Sequence, residues 1–330
     1  MSVLLALSLC AVATAADHRA ASPPQTLKLA TWNLEWLIAP AAFKPLKEHC
    51  VPEGTPVSGN QRRLPCDVVH RFERSSRDFA TLARYAHQLD ADVIALQEVD
   101  GAEAARLVFP GYTFCFTSRR HVQNNGFAIR AGIPHRCAPD VVTLSFGDTL
   151  RRGAELVMYP GEPYEIRLLS VHLKSGCSDK PLDGPDKACR TLARQVPALK
   201  GWIDVRAAAH RPFALLGDFN RDLLGEPPAG RSGDGRSLGV WAEIDDGVPA
   251  EADLRDAAEG ERFRNCAPGG AYGAFIDHIV LSRALGAAIV PGSFQRVTFS
   301  AADARHAVLS DHCPVAVRVS IQQIAPTGGQ

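Results

Sequence analysis

The sequence carries no surplus of either charge. Lysine plus arginine and aspartate plus glutamate each total 36 in 330 residues, so the formal net charge is zero. This excludes a strongly basic protein that coats nucleic acid through its overall field. Any polyanion it meets must be held by a local site. No segment reaches roughly 18 uninterrupted apolar residues, the length that a membrane-spanning helix needs. The mature chain is therefore expected to be soluble, without stable membrane insertion. No C-x-x-C pair occurs, which argues against cysteine-held zinc. There is no internal repeat, and no lysine or arginine precedes the first apolar stretch.

That first stretch, MSVLLALSLCAVATAADHRA, has a short apolar core from Val3 to Val12 and a small-x-small pattern at Ala13-Thr14-Ala15. Residues 1–16 are predicted to be a signal peptide, cleaved near Ala15 or Ala16. The absent positive charge leaves room for a start codon further upstream. Export would take the protein to the periplasm or outside the cell, and the alanine-rich composition points to a bacterial origin. With Cys10 removed, eight cysteines remain, and an even count in an exported chain predicts disulfides. The sequence does not choose among about a hundred connectivities. The working expectation pairs neighbours: Cys50–Cys66, Cys115–Cys137, Cys177–Cys189 and Cys266–Cys313.

Apolar runs and helical spacing alternate along the chain without a linker between independent cores. Residues 25–321 are predicted to form one α/β domain, with a disordered tail over 322–330. Leu27 to Leu34 reads as an early strand. Further strands are expected over Asp92–Leu96, Gly126–Arg130, Glu165–Leu173, Pro212–Leu216, Phe275–Leu281 and Pro314–Ile321. Helical spacing covers Arg74–Asp90 and Ala188–Ala208, where Pro197 must either kink the second helix or sit in its first turn. The Pro/Gly-rich stretches Ala39–Val68 and Arg221–Ala250 read as long loops.

Chemistry collects where the apolar runs stop. Phe213-Ala214-Leu215-Leu216 leads to Asp218 and Asn220, which in an extended segment point the same way. The first strand ends on Asn33 with Glu35 two residues on, and the second ends on Glu98. Leu168 to Val171 leads to His172, Ile276 precedes Asp277, and Val308-Leu309 leads to Asp311-His312. Singly, each reads as an ordinary strand-end charge or turn.

Taken in order, TWNLEW, ADVIALQEVD, SVHL, LLGDFN, FIDHIVLS and LSDHCPV resemble the endonuclease/exonuclease/phosphatase superfamily in its deoxyribonuclease-I-like form. The resemblance spans Thr31 to Val315 and implies a four-layer α/β sandwich, two packed mixed β-sheets flanked by helices, with the site at one end. It implies a hydrolase that cleaves phosphate esters with a divalent metal, most readily magnesium, with manganese and calcium as alternatives. Glu98 matches the main metal ligand, with Glu35 as a second-metal or outer-shell acid and Asn33 and Asp311 holding metal waters or phosphate. His312 would contact the phosphate or activate water, with Asp277 as its buried partner. Asp218 is the other candidate base, Asn220 a phosphate donor, and His172 a group at the leaving oxygen. Arg130 and Lys174 are candidate phosphate contacts, and Arg119-Arg120-His121 forms a small basic cluster.

The substrate stays open at this level. The paired histidines lean toward a nuclease acting on DNA or RNA, expected to be secreted and monomeric. A phospholipid or sphingomyelin phosphodiesterase or a phosphatase of the same fold would want exposed apolar loops, for which only Phe43 and Trp241 offer large side chains. A binding module that lost its chemistry would have lost at least one of the eight core residues, and all are present.

Overall fold

Two six-stranded sheets face each other across a dry apolar layer. The computed structural model describes residues 24–55, 61–226, 239–249, 252–270 and 272–324. The predicted signal peptide lies outside these residues, as do positions 325–330 of the predicted tail. The first sheet has the order β11 (Gln295–Arg296), β12 (Val315–Ser320), β1 (Thr26–Leu37), β2 (Val93–Val99), β4 (Asn124–Arg130) and β3 (Tyr112–Phe116). The second runs β5 (His135–Cys137), β6 (Ala154–Met158), β7 (Ile166–His172), β8 (Phe213–Asp218), β10 (Asp277–Ser282) and β9 (Leu254–Asp256). Both sheets are mixed: β1 is parallel to β2 and β7 to β8, whereas β4 and β10 are antiparallel to their neighbours.

Helices α3 (Ser76–Leu89) and α4 (Ala102–Val108) cover the first sheet, and the long α5 (Lys187–Ala208) covers the second. Ser75 and Asp78 form a reciprocal capping box at the start of α3. Pro197 lies well inside α5 rather than in its first turn. Buried Leu192 and Val196 before it and Leu199, Trp202 and Ile203 after it keep one face on the sheet. That packing carries the helix through the hydrogen bond proline removes. The result is the four-layer sandwich, α/β/β/α.

Strand parity explains the position of the site. Leu27 and Leu29 of β1, Val93 and Ala95 of β2, Ile166 and Leu168 of β7, Ala214 and Leu216 of β8, and Ile279 and Leu281 of β10 all pack in the layer between the sheets. Side chains two apart share a face. Extending those rows toward one end gives Asn33, Gln97, His172, Asp218 and Asp277. The parallel strands end there and antiparallel β10 begins there, with Asp277 opposite Asp218 and His172 beside Asp218.

The segment Ala39–Val68 corrects the expectation of a plain loop. It contains α1 (Pro40–Glu48) and the start of α2 (Cys66–Phe72), and Phe43, Leu46, Leu64, Val68 and Val69 form a satellite core with Ile38 and Phe72. Pro40 sits in the first turn of α1, where a missing N–H costs nothing. Shorter helices α6 (Val240–Ile244), α7 (Arg283–Ala287), α8 (Ala301–His306) and α9 (Ile321–Ile324) fill connections. Helix α6 interrupts the second expected loop, of which positions 227–238 and 250 are outside the described residues. Helix α9 runs from the expected end of the domain to Ile324; Ile321 is buried and its N–H donates to Gln25 O. The four disulfides join Cys50–Cys66, Cys115–Cys137, Cys177–Cys189 and Cys266–Cys313.

Candidate active site

Glu98 reaches the site against its strand parity. Ile94 and Leu96 of β2 face the outer helices, so Glu98 should follow them. A register shift between Leu96 and Val99, with Glu98 at φ 60°, gives Val99 the helix-facing place and turns the carboxylate inward. A second shift in β1, between Asn33 and Leu37, places Glu35 at φ 44° and Trp36 at φ 56°. Gly217 lets β8 approach β7: a Cβ there would stand 1.9 Å from Val171 O. Asn220, just past β8, also has positive φ, at 53°.

These turns bring the predicted residues into one hydrogen-bonded array. Asn33 Nδ2 donates to Asp218 Oδ2 at 3.0 Å and to Glu98 Oε1 at 3.4 Å. Asp218 also accepts from the Asn220 backbone at 2.7 Å and the Asn220 side chain at 3.1 Å. His172 Nε2 lies 3.4 Å from Asp218 Oδ2 and 3.8 Å from Glu98 Oε1. His312 Nδ1 bonds Asp277 Oδ2 at 2.8 Å, and its Nε2 faces Asp218 Oδ2 at 3.8 Å. Glu35 Oε2 accepts from the Asp311 N–H at 2.9 Å.

Burial and crowding set the charges. Burial raises the Asp218 carboxyl to about 7, although the charge of His312 draws it down; Asp277 adds to the rise. Burial and the Asp311 carboxylate push Glu35 up to about 7. Burial alone would lower His312, but Asp277 and Asp218 hold it well above its usual range, so it is an imidazolium at neutral pH. Burial, then Arg151 and His312, hold His172 well below its usual range, and it is neutral.

Two proposed phosphate contacts fare differently. Arg130 is not at the site. Because β4 runs antiparallel to β2, Asn124 pairs with Val99 near the site while Arg130 lies at the far end, bonded to Asp90 and Asp92. Lys174 follows His172 out of β7 and bears electrostatically on it, while its Nζ bonds Ser175 O at 2.7 Å. In the expected basic cluster His121 is buried and its Nδ1 accepts from the Gln123 N–H at 3.0 Å. Burial and Arg119 lower it to about 3, so it supplies no charge. Arg119 is buried as well, and Arg120 is exposed.

Other residues at the site were not legible in the motifs. Gln123 Nε2 makes a short hydrogen bond to Glu98 Oε2, and Gln123 Oε1 accepts from Arg151 at 3.2 Å. Arg151 is thus the cation the structure offers where Arg130 was expected. Tyr272 donates to Asp311 Oδ2 at 2.7 Å. Arg74, buried, donates to the carbonyls of Leu34, Glu35, Trp36, Val308 and Leu309, tying together the two segments that carry Glu35 and Asp311. In sequence Arg74 is a guanidinium just before a capped helix, indistinguishable from a surface charge.

The array suits a divalent cation. Glu98, Asn33, Asp311 and Glu35 offer hard oxygens, and the crowding of Glu35 against Asp311 that raises its pKa is relieved by a proton or a cation. Asp218, Asp277 and His312 also bring ligand-type atoms within 4.8 Å of one another. There the two carboxylates already hold the His312 proton, which competes with a cation.

Fold and site together define a hydrolase acting on phosphate ester bonds. The model of the Endonuclease/Exonuclease/phosphatase family matches residues 30–312, and the chain belongs to that family. Similar solved structures include an AP endonuclease from Leishmania major, at 16% identity and TM-score 0.54, covering 90% of this chain and 88% of the other. A 3′ phosphatase from Neisseria bound to product DNA hairpin superposes at TM-score 0.53 with 16% identity, covering 89% and 99%. An AP endonuclease from Archaeoglobus fulgidus gives 0.53 at 13% identity, covering 88% and 98%. At these identities the likeness is one of fold. A search of curated protein sequences gives no match.

Proposed function

We propose that the chain is an exported, monomeric, magnesium-dependent nuclease that hydrolyses DNA or RNA. The observation that carries this reading is the convergence of Asn33, Glu98, His172, Asp218, Asn220, Asp277, Asp311 and His312 at one end of the inter-sheet layer, with two histidines facing the same oxygen of Asp218. Bound at Glu98, Asn33, Asp311 and Glu35, the cation would neutralise charge on the phosphoryl oxygens; manganese and calcium suit the same oxygens less selectively.

The chain's own residues divide the remaining work. Asp218, raised toward neutrality, takes the proton of a water as its oxygen bonds to phosphorus. His312, held protonated and oriented by Asp277, donates through Nε2 to a phosphoryl oxygen. The opposite P–O bond breaks, and neutral His172 donates a hydrogen bond to the departing oxygen, which takes its proton from solvent. Asn220 holds the Asp218 carboxylate in place. Arg151 and Lys174 supply local positive charge for flanking phosphates.

The neighbours' DNA-directed names support a nucleic acid substrate. The two large side chains weighed for the lipid alternative speak against it. Phe43 is buried in the satellite core and Trp241 is half-buried against the α5 layer, so neither is presented to a membrane. Four disulfides are compatible with export, and among the described residues no helix is long and apolar enough to cross a membrane. The test is a substrate panel under one magnesium condition: plasmid DNA, single-stranded RNA and sphingomyelin vesicles. Cleavage of either nucleic acid is expected. Release of phosphocholine with both nucleic acids intact would replace the nuclease reading.

A further inference from the structure

Tyr272 belongs to none of the motifs, yet its hydroxyl occupies the open face of the site. It donates to Asp311 Oδ2 at 2.7 Å and lies 3.3 Å from His312 Nε2, the imidazole nitrogen that Asp277 leaves free. Its ring packs on that imidazole, with centroids 5.2 Å apart and planes at 50°. The loop that carries it starts at Cys266, which is bonded to Cys313 beside His312. Loop and histidine therefore share one covalent anchor.

We propose that Tyr272 is a catalytic residue whose hydroxyl turns from Asp311 to a phosphoryl oxygen of the substrate. The assignment rests on the nuclease reading of the site. An oxygen that accepts from His312 Nε2 on its Tyr272 side is also within reach of the Tyr272 hydroxyl, because the two groups are 3.3 Å apart. A phenol has one proton to give. It leaves Asp311 without loss only when that carboxylate gains another positive partner, so Tyr272 couples phosphate binding to occupation of Asp311 by a cation.

The discriminating variant is Tyr272→Phe, which keeps the ring on His312 and removes only the hydroxyl. Inorganic phosphate is titrated calorimetrically into wild type and variant at saturating magnesium, and turnover of bis(4-nitrophenyl) phosphate is measured on both, beside His312→Ala. A hydrogen bond to a charged oxygen predicts phosphate affinity weaker by about tenfold and kcat lower by roughly ten- to a hundredfold. The melting temperature should be unchanged. A wild type that binds no phosphate, or a variant equal to it in affinity and turnover, overturns the assignment. If His312→Ala is inactive while Tyr272→Phe matches wild type, only the tyrosine's role falls. If His312→Ala retains full turnover, the reading of the site falls with it.

Discussion

Glu35, Glu98 and Asn220 adopt positive-φ backbone conformations that non-glycine residues rarely hold, and each delivers a side chain to the hydrogen-bonded array of the site. Glu35 shows what this arrangement costs. Its folded pKa, about 7, lies above the ordinary 4.5 because the carboxyl is buried beside Asp311. The folded form therefore holds a proton that the unfolded form has released, and stability falls as pH rises through that window. The penalty at pH 8 is on the order of 3 kcal/mol. In the absence of divalent cations, Glu35→Gln should melt a few degrees above wild type at pH 8, with the gap closing toward pH 5. Magnesium should raise the melting temperature of wild type more than that of the variant. A variant less stable than wild type at pH 8 would show that the crowding is not there.

At the scale of elements, strand parity made much of the site legible. Asn33, His172, Asp218 and Asp277 each continue an apolar row, so their common face follows from spacing two residues at a time. Glu98 was legible only through its motif, because the bulge that re-aims it has no signature in local composition. Arg130 was misplaced because strand direction is a tertiary fact: read alone, Asn124–Arg130 does not say which end meets Glu98. Tyr272 rides a glycine-rich loop with no period to read. Helices α1 and α2 hide in a proline-dense stretch whose buried face is shared with Val122, distant in sequence. The disulfides Cys177–Cys189 and Cys266–Cys313 brace two of these elements, one five residues past His172 and one adjoining His312. Paired Cys266→Ala and Cys313→Ala replacement, or reduction, should lower turnover while the far-ultraviolet circular dichroism is retained. Full activity in a folded protein lacking that bond would remove the bracing role.

For the whole molecule, the net charge is zero, while acids and histidines are concentrated at one site. The sandwich brings acids and histidines to a largely buried end of its central layer, where their mutual fields are strong. Attraction for a polyanion is left to a few local cations such as Arg151. The central claim is that this array cleaves phosphodiesters with a bound divalent cation and His312. The most direct measurement incubates the purified protein with supercoiled plasmid and magnesium, beside an EDTA control and the His312→Ala variant. Nicking that vanishes with EDTA and falls by at least about a hundredfold in the variant is the predicted result. Nicking that persists in either control, or an intact plasmid with magnesium, manganese and calcium each supplied, would contradict the account.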